Sequence, residues 1–239
     1  MTKLIDWTKL EKIPAGKETE KKLIKAFNDS LYYVRGGVRN YIVDSCRNRT
    51  VLDIGAIEHG VDNMGSDSLF FRISKVAKRV KGLDIIEDDC KRMREKGFDF
   101  VCVDATSDID LGERFDVVNV GDVIEHVDSP VALLAFCKRH LKKDGKIFVT
   151  TPNPYYIKTI IDLLKHKHQI SNFQHIGWFM PCHGYELGRR VGLVMSGLVV
   201  SDPINFFVRG LLFWLPYNFK SGVFCFVFSL PDNSVGGFL

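Results

Sequence analysis

The sequence predicts an α/β fold built on a mostly parallel sheet, and three observations carry that prediction. From Thr50 onward, short β-branched runs alternate with amphipathic stretches, the order of repeated strand and helix units. Seven strand-like runs can be counted, five in that alternation and two after it. The chain has 239 residues, long enough for one well-buried domain and short for two.

Taken in order, residues 18–46 come first. Leu23, Ile24, Phe27, Leu31 and Val34 recur every three to four positions, which predicts an N-terminal helical segment interrupted at Gly36-Gly37. Strands are expected over 50–54, 79–83, 98–103, 115–120 and 146–151. Helices are expected over 68–77, over 87–96, and over 122–141 with a bend at Pro130. Lys142-Lys143-Asp144-Gly145 reads as a turn into the fifth strand. Helical stretches over 155–167 and 184–194 follow. The last two runs, 198–206 and 222–229, are expected to pair as an antiparallel hairpin-like edge.

Composition removes several classes. Hydrophobic residues make up 46% and charged residues 26%, values that exclude disorder, collagen and coiled coil. A net charge of +4 gives no support for a nucleic-acid partner. Six scattered cysteines without a C-x-x-C pair read as buried reduced thiols. Residues 1–10 lack a secretory apolar stretch, so a cytoplasmic setting is expected. The greasy run 206–230 is broken by Arg209, Pro216, Lys220 and Gly222, too often for a membrane span.

In an open parallel sheet the residues just after the strands meet at one edge, where ligands bind. The first strand runs into Asp53-Ile54-Gly55-Ala56-Ile57-Glu58-His59-Gly60. Gly55 lets a backbone pass close to a ligand, or is a plain turn glycine. Gly55 and Gly60 have phosphate-loop spacing, but Val61 and Asp62 replace the Lys and Ser/Thr that such a loop needs. Ile57 occupies the middle position of a dinucleotide G-x-G-x-x-G fingerprint, which is therefore missing. Asp84 closes the second strand, placed to accept ribose hydroxyls or to open the next helix beside Glu87. Asp104-Ala105 after the third strand can recognise the amino edge of an adenine. Gly121-Asp122-Val123-Ile124-Glu125-His126-Val127 follows the fourth.

Residues 50–153 resemble the class I S-adenosylmethionine-dependent methyltransferases, especially the branch with ubiquinone-biosynthesis-like O-methyltransferases and many small-molecule and sugar methyltransferases. The motifs are Val51-Leu52-Asp53-Ile54-Gly55, Gly82-Leu83-Asp84, Asp104-Ala105 and Asp122-Val123-Ile124-Glu125-His126-Val127, followed by Leu141-Lys142-Lys143-Asp144-Gly145. The resemblance implies a Rossmann-like, doubly wound, mostly parallel seven-stranded sheet with an antiparallel last strand. It also implies S-adenosyl-L-methionine as cofactor. Asp53 and Gly55 would border its methionine part, Asp84 with Ile85 its ribose end, Asp104 and Ala105 its adenine, and Gly121 its sulfonium. The family's later loop glycines are replaced here by Ile57 and His59. The connection 56–67 is expected to order over the methionine part. One domain is expected, with a helical cap over 1–48, a cofactor core over 49–153 and acceptor-side elements over 154–239.

Methyl transfer to oxygen needs the acceptor proton removed, a task that suits a histidine. His126 is the first candidate base or a structural histidine; His175 and His183 are further candidates. Asp122 and Glu125 have capping-box spacing and read more readily as caps than as catalytic groups. Thr151 to Tyr156 with Trp178 and Phe179 are expected near a small-molecule or sugar-like acceptor. His166, His168, Cys182 and His183 match no usual zinc pattern, so no metal is expected. Residues 206–215 read as a buried β-edge, or as an apolar lid. Two rival functions remain: a nicotinamide-dependent oxidoreductase and a non-catalytic partner subunit that keeps the fold.

Overall fold

The computed structural model describes residues 16–58, 60–168, 172–201 and 214–231. The elements in chain order are α1 (Lys17–Asp29), β1 (Leu31–Val34), α2 (Val38–Ser45), β2 (Thr50–Ile54), α3 (Leu69–Ser74), β3 (Arg79–Asp84), α4 (Glu87–Glu95), β4 (Phe100–Cys102), β5 (Phe115–Val120), α5 (Pro130–Arg139), β6 (Leu141–Pro152), α6 (Ile157–His166), α7 (Pro181–Val191), β7 (Val194–Ser201), α8 (Tyr217–Lys220) and β8 (Val223–Ser229). Single 3-10 turns lie at Val61–Asn63 and Ile124–His126.

The described strands form one sheet in the order β1-β7-β8-β6-β5-β2-β3-β4. Only β8 opposes its neighbours, pairing antiparallel with both β6 and β7. The Rossmann-like, mostly parallel arrangement is therefore as expected, with an eighth strand added. That strand is β1. Leu31-Tyr32-Tyr33-Val34 was expected to be helical, but its aromatic and β-branched residues fit a pleated surface and pair parallel to β7 from Leu31↔Leu198 to Val34↔Ser201. Gly36 and Gly37, both at positive φ, turn the chain into α2. The β7–β8 pair is antiparallel as expected but is not the edge, because β8 is inserted beside β6 and β1 covers β7. The expected tail of that strand, 202–206, lies outside the described residues, as do His59 and residues 206–213 of the expected β-edge or lid.

Alternation along the strands sorts side chains to two faces. Leu52, Ile54, Val118 and Val120 join Leu133, Leu134 and Phe136 of α5 and Phe224, Phe226 and Phe228 of β8 in the larger core. Val51, Val117, Phe148 and Cys225 face Val38 and Ile42 of α2 and Leu69 and Ile73 of α3. Helices thus cover both faces, the condition under which a parallel sheet is buried. A third cluster, Phe70, Cys90, Met93 and Phe100, fills the β4 end.

The helix expected over 122–141 is broken. Ser129 precedes Pro130, which disfavours helical backbone before it. Its hydroxyl then accepts from the Ala132 N–H, so α5 starts afresh with Pro130 in its first turn.

Candidate functional site

Backbone pairing brings the tips of β5, β2, β3 and β4 side by side. The Gly55 N–H donates to the Leu83 carbonyl (2.9 Å), the Gly121 N–H to Ile54 (3.4 Å) and the Val103 N–H to Asp84 (3.0 Å). The acids expected after three neighbouring strands therefore share one edge with both glycines. Two cavities among the described residues lie elsewhere. The larger, about 310 Å³, is lined by Asp116, Lys146 and Phe148 near the opposite strand ends, and one of about 230 Å³ lies between Phe27, Tyr155 and Pro181.

Asp84 is buried, and its carboxylate ties two loops together. Oδ2 accepts from the Ile57 N–H (3.2 Å), and Oδ1 from Ile85 (2.8 Å) and Ile86 (3.4 Å). Burial raises its pKa, against the pull of these backbone donors. Beside it Ile85 and Ile86 are 68% and 51% exposed, an apolar pair that the protein leaves uncovered. Asp104 is exposed, its Oδ1 accepting from the Thr106 N–H and hydroxyl (both 2.7 Å), while Ala105 is buried under it.

Asp53 and Asn119 stand opposite each other on β2 and β5, and Asn119 Nδ2 donates to Asp53 Oδ1 at 2.7 Å. Burial pushes the Asp53 carboxyl up to about 7, with the Asn119 donor opposing it. Asn119 Oδ1 has no hydrogen-bond partner. The two glycines differ from one another. At Gly55 (φ +69°) an added Cβ would lie 2.3 Å from Val123 Cγ2, so the space expected to admit a ligand is filled by a side chain. At Gly121 the nearest atoms would be Asn119 Nδ2 at 3.6 Å and Leu69 Cδ2 at 3.9 Å, ordinary contacts that would not obstruct a Cβ.

The loop after β2 is built against a pyrophosphate. Ile57 is buried and its N–H is taken by Asp84, while Glu58 accepts from the Leu69 N–H at the start of α3 (3.0 Å) and pairs with Arg39. A carboxylate thus stands at the helix start where a dinucleotide would place its phosphates. Nothing in residue spacing announced this cap. Asp84 and Asp104, by contrast, present carboxylate acceptors at this edge, with the uncovered Ile85 and Ile86 beside Asp84.

Asp122 and Glu125 are not the expected cap. Asp122 adopts φ +52°, its N–H donating to Thr150 Oγ1 and its Oδ1 accepting from the same hydroxyl, both at 2.9 Å. Glu125 is 1% exposed, neither carboxylate oxygen making a well-formed hydrogen bond, and burial pushes it up to about 7 against the pull of the nearby Thr151 hydroxyl. His126 and His175 meet edge to face with ring centroids 4.7 Å apart. Burial and then the charge of His126 hold His175 below the ordinary histidine value. The Ile176 N–H fixes this segment by donating to the Glu125 carbonyl (2.8 Å). His183 caps the start of α7, its Nδ1 accepting from the Met180 N–H.

A family model for the methyltransferase domain matches residues 33–191, well over half of the chain. The chain belongs to the class I S-adenosylmethionine-dependent methyltransferase family. Its sequence is 28% identical over 143 residues to a ubiquinone biosynthesis O-methyltransferase of Idiomarina loihiensis, covering 57% of this chain and 55% of that protein. A namesake from Glaesserella parasuis is 42% identical over 41 residues, 17% of each chain. The chain thus spans about half the length, or less, of the curated relatives it matches. Among solved structures, a SAM-dependent methyltransferase from Archaeoglobus fulgidus superposes with TM-score 0.55 at 17% identity, covering 87% of this chain and 98% of its own. The magnesium protoporphyrin IX methyltransferase of Synechocystis gives 0.54 at 11% identity, covering 94% and 93%. These likenesses establish the fold. Among the described residues no helix is long and apolar enough to cross a membrane.

Proposed function

We propose that the protein transfers a methyl group from S-adenosylmethionine to a hydroxyl of a small-molecule or sugar-like acceptor. The observation that carries this reading is the shared edge of acidic strand tips, with Asp84 and Asp104 as acceptors and the small, unobstructed Gly121 at the same edge. Asp84 and Ile85 then receive the ribose and one face of the base, Asp104 and Ala105 the adenine amine, and Gly121 the sulfonium end. Asp53 acts from below through Asn119, and Gly55 shapes the turn. When bound, S-adenosylmethionine supplies an electrophilic methyl whose leaving group is a neutral thioether. The protein's task is alignment and removal of the acceptor proton.

In this reading His126 activates the hydroxyl, supported by His175 against it, and His183 at the start of α7 is a further candidate. The hydroxyl acceptor is supported by the names of the curated relatives and by this imidazole pair. The division into an N-terminal cap over 1–48, a core over 49–153 and acceptor-side elements over 154–239 is part of the same proposal. The buried free thiols of Cys46, Cys90, Cys137 and Cys225 support a reducing, cytoplasmic setting.

The test is calorimetric titration of the full chain with S-adenosylhomocysteine and, separately, with NAD. Binding of the first alone, lost in Asp84→Ala, is expected. Binding of NAD would favour an oxidoreductase, and binding of neither a partner subunit; both overturn the reading.

A further inference from the structure

Glu125 poses a problem that methyl transfer alone does not explain. A carboxylate with 1% exposure, no well-formed hydrogen bond at either oxygen and only the Thr151 hydroxyl beside it is costly to bury. Protonation relieves only part of this cost, since a carboxylic acid still leaves a buried oxygen without a well-placed donor. A native protein keeps such a group where something else satisfies it.

Two imidazoles adjoin it. One ligand atom from each of Glu125, His126 and His175 lies within 4.8 Å of the others. We propose that these three residues bind one divalent transition-metal cation. The arrangement is assembled from two distant segments. The 3-10 turn Ile124–His126 presents Glu125 and His126 in succession, and the Ile176 N–H donating to the Glu125 carbonyl holds His175 against them. The charge of Asp122 acts on both Glu125 and His175, adding to a field that favours a cation.

Two imidazole nitrogens and one carboxylate oxygen suit Zn²⁺, Mn²⁺, Fe²⁺ or Co²⁺ better than Mg²⁺ or Ca²⁺, which favour oxygen shells. Bonds of ~2.1 Å set neighbouring ligand atoms roughly 3.0–3.4 Å apart, a closure that small side-chain rotations supply. Three protein ligands leave coordination positions open. On the methyl-transfer reading, and only there, an open position receives the acceptor hydroxyl, whose proton affinity the cation lowers. The cation site itself does not depend on that reading.

The test uses the untagged full chain, stripped with chelator and titrated with Co²⁺ while visible ligand-field absorption is followed. One equivalent should bind. Glu125→Gln and His175→Ala should each weaken binding on the order of a hundredfold, and His166→Ala on α6 should leave it unchanged. Circular dichroism checks that each variant folds, and His175→Ala, on a partly exposed segment, keeps the test valid should Glu125→Gln not fold. No saturable absorption, or the same titration in His175→Ala as in the unmodified chain, overturns the site. S-adenosylhomocysteine binding is measured in parallel. Cofactor binding without cobalt binding removes only the metal proposal, and cobalt binding without cofactor binding removes only the methyl-transfer reading.

Discussion

Asp53 and the two glycines carry the sharpest residue-scale expectations. Burial raises the Asp53 carboxyl to about 7, above the ~3.9 of an unfolded chain. A folded-state pKa raised in an acid means stability that is present at low pH and lost as pH rises between those two values. Asp53→Asn should therefore gain on the parent by a few kcal/mol across ~pH 4 to 7, on the order of 1.4 kcal/mol for each pH unit crossed. Urea unfolding at several pH values measures it, and a difference that stays flat over this range refutes the burial argument. Gly121→Ala should fold within ~1 kcal/mol of the parent, as a Cβ there makes only ordinary contacts. It should nonetheless weaken S-adenosylhomocysteine binding in calorimetry; an unchanged affinity would move the sulfonium elsewhere. Gly55→Val is a poor probe of the ligand, because positive φ and the Val123 side chain make it destabilising in itself. His126→Ala should cut turnover on the order of 10²–10⁴-fold while leaving cofactor affinity little changed. Equal losses in both would reassign His126 to structure. The carboxylates at strand tips were readable from order and spacing alone. That Val123 fills the space before Gly55, and that Glu125 is buried without a well-formed hydrogen bond, were not, because both depend on how the turn after β5 folds back.

At the scale of elements, local chemistry overruled periodicity twice. The helix-like spacing of Leu31 and Val34 suggested helix, yet a Leu-Tyr-Tyr-Val run beside β7 gains backbone pairing as a strand. Pro130 was expected to bend one helix and instead begins a new one, capped by Ser129. Ser129→Ala should cost about 1 kcal/mol, typical for loss of an N-cap side chain, read as a lower denaturation midpoint. No change would mean that Pro130 alone fixes the start of α5. The separation of the 3-10 turn from α5 is also what frees Glu125 and His126 from helix geometry.

For the whole molecule, a ligand that binds only the folded state raises stability by mass action. S-adenosylhomocysteine at a hundred times its dissociation constant should add ~2.7 kcal/mol, a rise in Tm on the order of 5–10 °C for a chain of this size. NAD at the same concentration should leave Tm unchanged; a comparable rise would contradict the carboxylate cap at α3. The sequence by itself determined the alternation of strands and helices, the acids at strand ends and so the family, since hydrophobic period and strand-end chemistry are local. Tertiary structure decided the eighth strand, the insertion of β8 beside β6, and the meeting of His175 with Glu125 and His126. Those are contacts between segments far apart in the chain, and no local pattern encodes which distant side chains a packed core will bring together.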